Sequence, residues 1–206
     1  MSGEPQNTST DIATNAALRL TVRNVAVLNL SYFGIEFAVA LAIGSVALFA
    51  DSVDFLEDGA INLLILAGLG FSVAKRAKLG MVLAAIILVP SLATLWTAWQ
   101  NFSSGLVPEA LPITITGAGA LLVNSICAWL LAPFRAAGGS LTKAAFLSAR
   151  NDVAANVAIV IAGLLTSATQ SHGPDLIVGL GIAALNAGAA HEVYEAAREE
   201  HARSRS

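Results

Sequence analysis

The segment Phe49-Ala-Asp51-Ser-Val-Asp54-Phe-Leu-Glu57-Asp58 sets four carboxylates inside an otherwise apolar run. A carboxylate near the centre of a bilayer costs roughly 2.5–3.5 kcal/mol on insertion scales, so acids of this kind face a polar interior and mark an ion path. At about 3.6 residues per turn, Asp51, Asp54 and Asp58 share one helix face, and Glu57 lies off that line. A second polar stripe occurs in Ser148-Ala-Arg-Asn151-Asp152-Val-Ala-Ala-Asn156, where Ser148, Asp152 and Asn156 recur every fourth residue. An earlier apolar run carries Asn29 and Glu36, seven residues apart and on one face, and a later one carries Asn124. Three carboxylates around one cavity repel one another and retain protons until a divalent cation displaces them. That chemistry is the exchange of a metal for protons as a site alternates its exposure. The competing reading is that the acids are locked in interhelical hydrogen bonds and only fix packing.

These residues must be positioned by helices in lipid. The chain is 56% hydrophobic and 12% charged, against about 25% charged in a soluble domain, and its mean hydropathy is +0.71. Apolar runs near the ~20 residues needed to span a bilayer predict helices over 24–43, 46–73, 79–99, 111–131, 144–166 and 176–194. Breaks fall at Gly44-Ser45 and over 75–78, 101–108, 133–140 and 167–174. The expected fold is an all-α integral membrane protein with six transmembrane helices. Its parts are a cytoplasmic N-terminal segment (1–22), a membrane domain (23–194) and a short cytoplasmic tail (195–206).

Charge sets the orientation, because short loops rich in Lys and Arg stay cytoplasmic. Arg19 and Arg23 precede helix 1, Lys75, Arg76 and Lys78 join helices 2 and 3, Arg135 and Lys143 lie between helices 4 and 5, and Arg198, Arg203 and Arg205 end the chain. The other three loops hold no Lys or Arg, so both termini are expected inside. Trp96, Trp99 and Phe102 then mark the outer end of helix 3, and Trp129 and Phe134 the inner end of helix 4. Counted from opposite sides, helices 2 and 5 bring Asp54, Asp58 and Asp152 to a similar depth, with Asp51 nearer the outside.

Other classes recede on composition. A net charge of −3 and a pI of about 5.5 give no basic surface for nucleic acid. Cys127 is the only cysteine, which excludes an internal disulfide and a multi-cysteine metal cluster and points to packing. The polar, acidic start of the chain is not a signal peptide. In the tail, His191 and Glu195 have a spacing that suits a metal on one helix face, but mixed charge on a solvated helix explains them without a ligand.

With these residues in view, the sequence resembles the cation diffusion facilitator (cation efflux) family from Asn29 to about Glu195. Asn29, Glu36 and Gly44-Ser45-Val-Ala-Leu48-Phe-Ala-Asp51 look like that family's helix 1 to helix 2 signature. Asp54-xxx-Asp58 stands in the place of its His/Asp-xxx-Asp metal pair. Asn124 falls where its helix 4 often has Asn, Asp152 followed by Ala-Ala-Asn156 looks like the second half of its helix 5 metal pair, and Gly173-Pro-Asp175 resembles the start of its helix 6. The resemblance implies export of divalent cations from the cytoplasm in exchange for protons, through a site between helices 2 and 5 of each subunit of a homodimer, in a cell inner membrane. Asp54, Asp58 and Asp152 carry over as metal ligands. Ser148 occupies the fourth ligand position, where the family usually has His or Asp. It is expected to bind weakly, to hold a water, or to leave the role to Asn151 or Asn156. Asp51, Glu57, Asn29, Glu36 and Asn124 are candidates for supporting positions or the ion path. Two further departures are a short Lys75-Arg-Ala-Lys78 linker and no room for the cytoplasmic domain that commonly follows in the family.

The core donor set is all oxygen, which suits manganese, iron or cobalt, whereas the breadth of the family points to zinc, cobalt and cadmium. The metal is cargo, and no cofactor is expected. Three alternatives stand beside metal export: a proton-coupled carrier of a non-metal solute, a membrane-embedded hydrolase and a packing or scaffold protein. Against an enzyme, no HExxH pattern or Ser/His pair occurs, and His172, His191 and His201 all lie away from the acids.

Overall fold

The computed structural model describes residues 6–68, 92–135 and 139–185. These form six helices with no strand among them: α1 (Gln6–Ile43), α2 (Val46–Gly68), α3 (92–104), α4 (Ala110–Leu131), α5 (Gly139–Thr169) and α6 (Gly173–Leu185). A single 3-10 turn, Ala132–Phe134, follows α4. Stretches within α1, α4 and α5 are long and apolar enough to cross a membrane: Ala16–Ile43, Ala110–Phe134 and Ala145–Thr169. The four carboxylates of α2 keep that helix from reading as a simple apolar span. Large apolar side chains such as Trp96, Trp99, Leu111, Leu122, Trp129, Ile161 and Ile177 lie exposed on the outside of the bundle, as a lipid-facing surface requires.

The expected helix ends at 73, 79 and 194 lie outside the described residues. Of the helix ends within them, most fall close to the expected ones, with one clear exception. The polar segment expected before helix 1 is itself helical from Gln6, so α1 is 38 residues long and carries the chain well beyond its apolar part. Hydropathy cannot see this, because a polar helix that continues an apolar one has no apolar period to report. Similarly, α5 begins at Gly139 rather than at 144, and α3 runs to residue 104. The Lys75 to Lys78 linker and the tail with His191, Glu195 and His201 lie outside the described residues.

One end of the bundle is defined by the turn between α1 and α2. Gly44 takes a left-handed conformation (φ 69°) and its N–H closes on the carbonyl of Ala40 at 2.8 Å, which stops α1 with a residue that has no Cβ to clash. Ser45 then opens α2: its hydroxyl accepts from the N–H of Leu48 at 3.2 Å and donates to Asp175 Oδ1 at 2.6 Å. The Asp175 carboxylate, from the first turn of α6, also accepts from the N–H groups of Val46 (2.8 Å, Oδ2) and Ala47 (3.3 Å, Oδ1). An acid on the amides of a helix N-terminus is the favoured charge arrangement there. From α3, Asn101 Nδ2 donates to the carbonyl of Gly44 at 2.7 Å. Two helices, α3 and α6, are thereby tied to the turn that joins α1 and α2.

The interior has two apolar clusters. Near the Gly44 end, Ala40, Leu48, Phe49, Ala50, Ile113, Ile159 and Ile182 are buried together. Toward the other end, Leu18, Val22, Val25, Ile65, Cys127, Leu131, Ala145 and Ala149 form a second cluster. Between the two, α1, α2, α4 and α5 contribute buried polar residues: Asn29 and Glu36, Asp51 to Asp58, Asn124, and Asn156. The polar band is therefore flanked by packed hydrocarbon toward both ends, with Ser148 and Asp152 on α5 half-buried at its side.

Candidate metal site

The band contains two places where carboxyl groups meet. In the first, Asp58 on α2 and Asp152 on α5 approach within hydrogen-bonding reach of each other, and Ser148 Oγ donates to Asp58 Oδ1 at 2.8 Å. Asp54, one turn along α2, is buried and faces Asp152, Asp51 and Asp58 electrostatically. Helix geometry explains the grouping: residues 54 and 58 are one turn apart on α2, and 148 and 152 are one turn apart on the antiparallel α5. Glu57 lies off this face and is less deeply buried than Asp54 and Asp58.

In the second, Glu36 on α1 and Asp51 on α2 lie within hydrogen-bonding reach. Asn156 Nδ2 donates to both oxygens of Asp51, each at 2.7 Å, while Asn156 Oδ1 accepts from Asn124 Nδ2 at 3.1 Å. The amide of Asn156 is thus oriented from both sides, with its donor end toward the carboxylate. Asn29 lies about two turns from Glu36 along α1, near Gly59 at the level of Asp58, and its Oδ1 accepts from the Cys127 thiol at 3.7 Å.

Sequence-predicted residues fall into place unevenly. Asp58, Asp152 and Ser148 meet between α2 and α5, with Asp54 one turn along α2. Asn151 does not join them: it is exposed, and its Oδ1 accepts from Arg150 at 3.3 Å. One residue along a helix is a rotation of about 100°, which turns it off the face that carries Asp152. Asn156, the other stand-in considered for the fourth ligand, serves Asp51 instead. No histidine, cysteine or acid trio among the described residues is gathered tightly enough to hold a metal ion as the side chains stand. The acids are instead spread along α2 over about 10 Å, the rise of the seven residues from Asp51 to Asp58.

Sequence reasoning missed the clasp made by Asp175. An acid just after Gly173-Pro174, at the start of an apolar run, was the available signal, since an acid buried there needs a donor partner. The partners lie about 130 residues earlier in the chain, beyond anything local spacing can suggest.

A family model described as the cation efflux transmembrane domain matches residues 22–198. The chain belongs to the cation efflux family. Membership makes it a cation transporter and places it in a membrane. None of the curated proteins compared with the chain matches it. In this cation efflux protein the polar band lies on four of the six helices of the matched span, and its acids come from α1, α2 and α5. The apolar groove between α3 and α6, lined by Leu95, Trp99, Phe102, Leu176 and Leu180, has no polar group that could serve a cation.

Proposed function

We propose that this protein exports a divalent metal cation from the cytoplasm in exchange for protons, with Asp54, Asp58 and Asp152 as the metal ligands. The observation that carries the reading is the meeting of acids from two antiparallel helices, α2 and α5, in a polar band flanked by packed apolar side chains, with Asp54 and Asp58 buried and Asp152 half-buried. Mutually repelling acids in such a place favour a cation over any other solute, because a dication offsets the charge that burial makes costly. Ser148 holds Asp58 through its hydroxyl, so it supports a ligand and offers only a neutral oxygen of its own.

The all-oxygen donor set favours manganese, iron or cobalt over zinc and cadmium. The same reading has the Gly44 end facing outside and both termini inside, which the charge pattern supports, and the membrane is a cell inner membrane. On this reading the protein works as a homodimer, like the family it belongs to.

The test is uptake of a panel of divalent metals into proteoliposomes under an imposed pH gradient, for the native chain and for Asp152→Ala. Gradient-driven flux that disappears in the variant is the expected result and identifies the metal. Flux of no metal, or equal flux in the variant, refutes the assignment and turns attention to a non-metal carrier.

A further inference from the structure

The proposed ligand set leaves the second carboxyl pair unused, and that pair is chemically the stranger of the two. Glu36 is fully buried, and among the described residues neither of its carboxylate oxygens meets a hydrogen-bond donor. What it faces is another buried acid, Asp51. Two ionised carboxylates do not share a dry position without a cation between them.

The surroundings decide which cation. A hard divalent ion takes about six oxygen ligands, yet both oxygens of Asp51 already accept from Asn156 Nδ2. That amide presents its N–H groups, the end that attracts an anion and repels a metal, and the bond from Asn124 keeps it so. A proton needs only one donor oxygen and one acceptor. Carried on Glu36, it donates to Asp51, gives the orphaned carboxyl a partner and leaves one negative charge for Asn156 to hold.

We propose that Glu36 and Asp51 hold a proton between them, at a site separate from the metal ligands and about one helical turn nearer the Gly44 end. Its role in transport rests on the exchange reading above, although the binding of the proton does not. The groups that face the pair are Asp54 and Asp58 on α2, Asp152 on α5 and the Tyr32 phenol on α1; α4 contributes the neutral Asn124. A dication settling on Asp54, Asp58 and Asp152 places positive charge a turn away and drives the proton off. The pair thereby couples metal entry to proton release without sharing a ligand.

The test uses the full chain in detergent and reads the protonated carboxyl band by infrared difference spectroscopy, first without metal. Glu36→Gln should lose part of that band, and Asp51→Asn should do the same, which guards against one variant failing to fold. In weakly buffered solution, Glu36→Gln should release about one proton fewer per metal bound. Its metal affinity should change by less than about tenfold, below the effect of disturbing a group that supports a ligand. A carboxyl band unchanged in both variants overturns the proposal. So does a loss of metal affinity beyond about 100-fold in Glu36→Gln, which would make Glu36 a metal ligand. If the native chain binds no metal but the band is present and is lost in the variants, the proton site stands and the exchange reading falls.

Discussion

Removing the Asp175 carboxylate tests the clasp that joins α6 to the start of α2. Asp175→Ala deletes the acceptor for Ser45 Oγ and for the N–H groups of Val46 and Ala47, all in a buried place. Loss of an N-cap acceptor costs about 0.5–2 kcal/mol, and hydrogen bonds to a charged group are worth about 1.5–3 kcal/mol each. These do not add, and removing the carboxylate also removes a buried charge that was costly to desolvate, so a net loss of about 3 kcal/mol is a fair expectation. At roughly 2–4 °C per kcal/mol for a chain of this size, the unfolding midpoint should fall by about 6–12 °C. Asp175→Asn should fall between the variant and the native chain. It keeps one oxygen, but wherever the amide turns, its NH2 meets a backbone N–H that the carboxylate had satisfied. The sole cysteine supplies the assay: Cys127 is 0% exposed, so a thiol-reactive fluorophore reports unfolding in detergent without an introduced cysteine. An Asp175→Ala midpoint within about 1–2 °C of native would refute the reasoning, since it would mean that the three bonds carry no net stability.

Close packing on the same helix gives a sharper contrast. A Cβ at Gly179 would meet the backbone of Val46 at 2.5 Å and of Ala47 at 2.6 Å, whereas one at Gly181 meets nothing within 4 Å. Gly179→Ala should therefore cost about 1–3 kcal/mol by overpacking, and Gly181→Ala should be neutral or slightly stabilising, in the same thermal assay. At the metal site, Ser148→Ala should weaken metal binding by about tenfold by freeing Asp58 to move, as measured by calorimetry in detergent. Ser148→His should raise zinc flux relative to manganese by adding a nitrogen donor. An unaltered flux ratio would remove position 148 from the ligand sphere.

How much of this was legible in the sequence differs by scale. The transmembrane helices follow from apolar runs, because a bilayer forces backbone groups to bond within the segment, and the structure differs mainly where α1 continues through polar residues. The grouping of Asp54, Asp58, Ser148 and Asp152 follows from four-residue spacing on two helices of opposite direction. Pairwise choices within the band do not follow. Spacing places Glu36 on a face of α1 and Asp51 on a face of α2, but which carboxyl meets which depends on helix rotation and depth, set by contacts such as Tyr32 on the carbonyl of Thr116 at 2.6 Å. Asn156 looked interchangeable with Asn151 as a polar neighbour of Asp152. In the structure, a rotation of about 100° per residue sends one to Asp51 and the other to the exposed surface.

Among α1, α2, α4 and α5 the most extensively packed pairs are α1 with α2 and α4 with α5, which form two hairpins laid side by side. The first is joined by a turn of two residues, and the second approaches so closely that a Cβ at Gly163 would strike the backbone N–H of Thr114. Glu36 and Asp51 belong to the same hairpin, whereas Asp58 and Asp152 belong to different ones. Any rocking that leaves each hairpin intact opens and shuts the Asp58–Asp152 jaw while the Glu36–Asp51 pair rides along at constant spacing. The molecule thus has one pair of acids held within a single hairpin and another that spans two.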